Sequence, residues 1–436
     1  MSKRVRRSAA GAGFATVIVL AAVVAAYAAP GALDSTFGGD GRVITDLSHH
    51  ADFAGAITIQ ADGKIVVAGG SAYDTRNPKF GLARYNSDGT LDSSFGGDGR
   101  VTTDFTRRED AAYGVLIQPD GKIVAAGDAG YGTGNSRFAV ARYNSDGTLD
   151  PTFSGDGKVM SQFTRHDDPV AGLALQADGK IIVSGGVAFD GGNPNFALAR
   201  YDTDGTLDMA FGGDGKVVTD FGGNDDYSLA VVVQADGSLV AGGFSVASRS
   251  SGRGRLALAR YHGDGSLDTT FGGDGKVITD FTPWNDSVQN LALQPDGKIV
   301  AVGTAGFGSA NSKFALARYN ADGTPDVTLG GDGKVATDIS PGYDSGRDIA
   351  LQPDGKIVEG GYASGRGGRF AIARFNTDGS LDVGFGSDGK STTNFTSQDD
   401  FAFGLALQAD GNLLLAGGSG WGGSNPKVAL ARFLGT

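Results

Sequence analysis

The sequence contains no cysteine, three methionines, two tryptophans and four histidines. Without cysteine the fold uses no disulfide, and neither a thiol nucleophile nor a thiolate metal site is available. Glutamate is almost missing as well: of the 49 acidic residues only Glu109 and Glu359 are glutamate. Aspartate and glycine favour turns, whereas glutamate favours helices. With 74 glycines in 436 residues, the chain reads as many short segments joined by tight turns. No stretch beyond the N-terminus repeats its apolar residues at the helical period of about 3.6.

Residues 1–28 read as a secretory signal peptide. Lys3, Arg4, Arg6 and Arg7 form a basic start, an apolar run follows from Phe14 to Ala26, and Ala26-Tyr27-Ala28 is a small-x-small cleavage site. The run is shorter than the roughly 20 residues of a membrane span. An uncleaved N-terminal anchor is the alternative. The expected mature chain is 29–436, secreted or held at the cell envelope, with no membrane span of its own. Removing four of the 37 Lys and Arg residues leaves 33 against 49 acids, a net charge of −16. Such a surface repels nucleic acid and anionic lipid, so neither is expected as a partner.

One stretch resembles a nucleotide site. Gly384, Gly389, Lys390 and Ser391 match the phosphate-loop pattern G-x-x-x-x-G-K-[ST]. The match dissolves once its copies are seen. The element "LDxxFGGDGK" recurs with its apolar anchor at Phe37, Phe95, Phe153, Phe211, Phe271, Leu329 and Phe385, in steps of 58, 58, 58, 60, 58 and 56 residues. In the other six copies the basic residue is followed by valine, and a strand-like run continues. A phosphate loop opens a helix instead. No nucleotide is expected.

Two further elements recur seven times. "QPDGK" or "QADGK" starts at Gln60, Gln118, Gln176, Gln234, Gln294, Gln352 and Gln408. "FALARYNSDG" has its arginine at Arg84, Arg142, Arg200, Arg260, Arg318, Arg374 and Arg432. Each unit holds four strand-like runs, in the first unit 56–60, 64–70, 80–86 and 100–105, bounded by Asp-Gly or Gly-rich turns. Four antiparallel strands repeated seven times predict an all-β fold, a seven-bladed β-propeller. An open β-solenoid is the alternative. The last unit stops after its third strand, and Arg42–Leu47 supplies a spare one. That predicts a ring closed by the N-terminal strand completing the last blade, which removes exposed edges.

Units such as "DFAGAITIQADGKIVVAGG…FGLARYNSDGTLDSSFGGDGRVTTDF" resemble the bacterial delta-60 repeat, a β-propeller-type repeat of secreted or surface proteins. The likeness runs from Leu33 to Arg432. It implies a propeller and carries no catalytic residue over, and fold alone does not give function.

The repeated polar residues read first as scaffold. An aspartate stands eight residues before each glutamine: Asp52, Asp110, Asp168, Asp226, Asp286, Asp344 and Asp400. These would ring one mouth of the central channel, either attracting cations or accepting backbone N–H bonds at strand entries. The arginines have partners available in the "LD" aspartates Asp34, Asp92, Asp150, Asp208, Asp268, Asp326 and Asp382. "YNSDGTLD", with Asn86, Asp88 and Asp92, resembles part of a calcium loop, but Arg84 and Phe95 stand where the first and last ligands belong. Calcium stabilisation is kept as an alternative; no other cofactor or metal is expected.

A specific site is expected where loops break the repeat, on the face where the channel opens. The candidates there are His50, His166, Trp284, Tyr343 and Trp421. Exposed aromatics among Gly, Ser and Asn suit a glycan or protein ligand. No H-E-x-x-H or G-x-S-x-G element is present. A glycoside hydrolase needs two carboxylates at a set distance, and 47 aspartates do not single out a pair. The favoured reading is a secreted or surface-exposed propeller acting as a non-catalytic binding or structural module. A polysaccharide-acting hydrolase or lyase with its site at the channel mouth is the runner-up, and a calcium-stabilised scaffold the third reading.

Overall fold

The computed structural model describes residues 28–436 apart from 133, 189–191, 223–224, 247–251, 366 and 424. The expected signal segment therefore lies outside the described residues except for Ala28. Among the described residues there are twenty-eight strands and no helix. They form seven four-stranded antiparallel sheets, the blades of a seven-bladed β-propeller.

The first blade sets the pattern. Its strands are β2 (Phe53–Ile59), β3 (Ile65–Ser71), β4 (Lys79–Tyr85) and β5 (Arg100–Thr103), paired in chain order from the inside outward. Strand two is buried throughout and strand three all but its first residue, because blades pack on both of their faces. Five more blades follow the same order. The seventh has the order β1-β28-β27-β26, from β1 (Arg42–Thr45), β28 (Lys427–Phe433), β27 (Leu413–Trp421) and β26 (Asp399–Leu407). Arg42 to Thr45 pair with Ala431 to Val428, so the N-terminal strand closes the ring as the sequence predicts.

The Gly-rich element is a turn beneath each blade. Gly96 has φ 63°, and a Cβ there would run into the Arg100 carbonyl. In the nucleotide look-alike, Lys390 opens the outer strand β25 (Lys390–Thr393) and its Nζ donates to the Asp338 carbonyl at 3.1 Å.

The third-strand arginine ties each blade to the next. Arg84 donates from Nε to Asp92 Oδ2 at 2.7 Å and from Nη2 to Ser94 Oγ at 2.9 Å. Its Nη1 donates to the Ser145 carbonyl of the following blade. The guanidinium lies 4.8 Å from the Phe95 ring centroid. Arg142, Arg200, Arg260, Arg318, Arg374 and Arg432 repeat the link, reaching the carbonyls of Thr203, Gly263, Ala321, Thr377, Gly435 and Ser87. At Arg318 the stacking ring is replaced by Leu329, which leaves the hydrogen bonds intact. The last link also joins the chain's two ends, since Arg432 pairs with Asp34 at 2.8 Å.

All seven partner aspartates are held below the ordinary carboxyl value. At Asp92 burial opposes ionisation, and hydrogen bonds from Lys64 and Ser94 together with the Arg84 charge outweigh it. Groups depressed in the folded state contribute stability above their unfolded value of about 4 and lose it as pH falls below that. The melting temperature should therefore drop steeply between pH 4 and pH 2, as read by circular dichroism. A flat profile there would remove these pairs from the stability argument. Asp208→Ala, which strands Arg200 and leaves Lys180 only its pair with Asp202, should cost about 3 kcal/mol in urea unfolding. Asp88→Ala, where the exposed carboxylate only caps its own turn at Thr90, should leave the midpoint nearly unchanged.

Candidate functional site

Seven inner strands surround the channel: β2, β6 (Glu109–Ile117), β10 (Val170–Leu175), β14 (Asp226–Val233), β18 (Asn285–Leu293), β22 (Asp344–Leu351) and β26. They enclose a cavity of about 1000 Å³. Each inner strand carries a β-bulge at one position, five residues before the repeat glutamine. The residue left out of the ladder is Gly55, Tyr113, Ala171, Leu229, Gln289, Arg347 or Phe403, and all seven line the cavity. A bulge re-aims one side chain without disturbing the pairing around it. The scaffold repeats; this ring does not.

An aromatic arc runs along the wall of blades two, one, seven and six. Phe53 is its hub, with ring centroids 5.2 Å from Tyr73, 6.3 Å from Tyr113, 6.3 Å from Phe403 and 6.0 Å from Trp421. Phe53 has room because Gly70 stands opposite, where a Cβ would lie 2.5 Å from its Cε1. At the end of the arc, Arg347 lies 5.2 Å from the Tyr362 centroid and 5.7 Å from that of Phe403. It donates to Gln289 Oε1 and to Tyr362 Oη, both at 3.0 Å. Among the described residues that line the cavity Arg347 is the one cation, and no histidine is present.

The wall of blades one and two is phenolic, with Tyr73, Tyr113 and Tyr131 around one acid, Asp128. Asp128 takes the place held by Gly70 in blade one and is 4% exposed. Its Oδ1 accepts the Val170 N–H. Burial pushes its carboxyl well above the ordinary value, and the charges of Glu109 and Asp167 add to this. Burial likewise raises the Tyr73 hydroxyl, which is also hydrogen-bonded to Glu109. This wall presents tyrosine hydroxyls, which are hydrogen-bond donors, beside a carboxyl whose neutral form burial favours.

Of the loop candidates, Trp421 lines the cavity, packed against Phe53 and Phe401 with its Nε1 buried and unpartnered. The other four stand outside the lining. Trp284 is 54% exposed, and Tyr343 meets the rim residue Phe307 edge-on at 5.8 Å. His50 is exposed with Nδ1 3.3 Å from Asp74 Oδ1, and the exposed His166 donates its backbone N–H to Thr164 Oγ1. The aspartate ring is at most 1% exposed. Asp110 accepts the N–H groups of Phe105 and Thr106 with Oδ2, and Thr106 Oγ1 and the Gly130 N–H with Oδ1. These carboxylates tie the loop that precedes an inner strand to the end of the second strand of the same blade. The oxygens of Asp88 and Asp92 are likewise turned to Thr90, Ser94 and Arg84. Among the described residues no group of three or more acids or histidines could hold a metal ion.

Tyr113, Asp128, Arg347 and Phe403 escaped the reading by loops. Their signal was present: five residues before and ten residues after each glutamine, the seven copies disagree.

Six of the seven units match the family model described as a domain of unknown function (DUF5122) β-propeller, over residues 60–95, 118–153, 176–211, 234–271, 294–329 and 352–385. The repeats are those of a β-propeller family. No curated protein matches the chain. Among solved structures it is similar to a protein of unknown function from Dyadobacter fermentans, at 12% identity over 91% of this chain and 98% of that one, with a TM-score of 0.46. It is also similar to a polysaccharide lyase, an ulvan lyase, at 12% identity over 90% and 96%, with a TM-score of 0.48. A gluconolactonase from Xanthomonas campestris follows at 11% over 77% and 92%, with a TM-score of 0.36. At these values the likenesses carry no argument about activity.

Behind the channel, Glu359 occupies a core position held by Val67, Ala125, Val183, Ala241, Ala301 and Leu415 in the other blades. It is fully buried, the backbone N–H groups of Gly303 and Ala315 are its polar neighbours, and Gly346 leaves the space it fills. Burial raises its carboxyl well above the ordinary value. The native state then keeps a proton that the unfolded chain releases above pH of about 4.5, so this residue's contribution to stability falls as pH rises. Glu359→Leu should raise the melting temperature, by more at pH 8 than at pH 5. An equal or negative change at both would contradict this.

Proposed function

We propose that the protein is a secreted or surface-exposed binding module that receives its ligand in the central channel. The observation that carries this reading is the bulge ring. Blade-specific chemistry collects at seven ladder-free positions around one cavity, while the surrounding scaffold repeats almost unchanged. A cavity of this size, apolar with a few convergent polar groups, is the usual form of a small-ligand site. The aromatic arc offers flat faces for a sugar ring or an aromatic side chain, and the tyrosines add donors at little entropic cost. The resemblance to delta-60 repeats of secreted proteins and the N-terminal signal pattern favour a place outside the cytoplasm.

Trp421 provides the test. With Trp284→Phe, Trp421 is the one remaining tryptophan. A screen of glycans and peptides against that variant should find ligands that change its emission, and Phe403→Ala or Tyr113→Ala should weaken them at least tenfold. Ligands whose binding ignores both substitutions would place recognition on the outer loops instead.

A further inference from the structure

Arg347 differs from the arginines of the scaffold. Each of those seven donates from Nε to its own aspartate at 2.6 to 2.8 Å. Arg347 has only neutral partners, Gln289 and Tyr362, and its Nε is buried without an acceptor. The carboxylate next to it in sequence is turned to other groups. Asp348 Oδ1 accepts Asn290 Nδ2 at 2.5 Å and the Ile349 N–H at 2.8 Å, while Oδ2 accepts the Leu405 N–H at 2.5 Å. Among the described residues no acid lies within ion-pair distance of Arg347. An arginine without a counter-charge, lining a partly enclosed cavity, is costly to keep unless a ligand supplies the charge.

Resting on the channel reading above, we infer that Arg347 anchors a carboxylate carried on a ring-sized body, with the ring lying along the arc of Phe403, Phe53 and Trp421. The geometry supports both halves. A guanidinium already fixed by Gln289 and Tyr362 keeps free N–H groups that fit a carboxylate fork, with little further ordering. Phe403 borders the guanidinium and connects it to the hub ring Phe53. The protein's strong negative charge works against anions everywhere else on its surface.

Two sources carry this chemistry, a uronic-acid residue of a glycan and an aromatic carboxylic acid. The test titrates the full chain bearing Trp284→Phe with a uronic-acid disaccharide, its neutral counterpart, benzoate and benzamide. Trp421 emission and calorimetry are the readouts. At least one acid should bind about 30-fold more tightly than its neutral partner, and which acid does so identifies the source. Arg347→Gln should erase that preference with an unchanged melting temperature, and Arg347→Lys should restore only part of it. Equal binding of acid and neutral forms, weakened by Phe403→Ala but not by Arg347→Gln, overturns the carboxylate assignment and leaves the channel reading standing. Silence of all four probes also overturns the assignment. The channel reading itself falls if the glycan and peptide screen is silent as well, or if the ligands it finds ignore both Phe403→Ala and Tyr113→Ala.

Discussion

The guanidinium of the third-strand arginine is the contact on which the ring depends. One group satisfies an aspartate of its own blade, a carbonyl of the next blade and, in six of the seven cases, the face of a phenylalanine. Buried ion pairs stabilise only when their remaining hydrogen-bonding capacity is used. Here the fork reaches carboxylate, hydroxyl and carbonyl at once. Because the same link recurs around a closed circle, no blade is held from one side alone.

That rigidity separates two tasks. The ladder residues and Asp-Gly turns specify the blades and are nearly identical in each. The bulge residue takes no part in the ladder, so its identity is free to differ. Tyr113, Gln289, Arg347 and Phe403 stand on one design and present four different chemistries to one cavity. The partners opposite have adjusted: glycine at Gly70 and Gly418 makes room for Phe53 and Trp421, and Tyr362 stands where it stacks on Arg347.

Blade number, strand order and closure were legible in the sequence because they rest on local rules. Turn residues at fixed offsets fix the strands, and the spare strand at Arg42 has one free edge to meet. The channel lining was not legible by the same route. A bulge breaks the two-residue alternation, so strand periodicity does not say which way Tyr113 or Arg347 faces. Loop position was a poor guide as well. Trp421 folds inward over Gly418, whereas Trp284 stays in solvent. The aspartates at the start of the inner strands turn back onto backbone N–H groups, which sequence alone left open.

Closure by β1 has a kinetic side. Its hydrogen-bonding partner is β28, so the first and the last of the described strands pair with each other. Every other strand finds its partner across a short connection, whereas this one must close a loop of nearly the whole domain. Loop entropy makes such a contact late. Until the seventh blade is complete, β1 is an unpaired edge able to pair with another chain. Late closure and an edge open to mispairing therefore meet at this one seam.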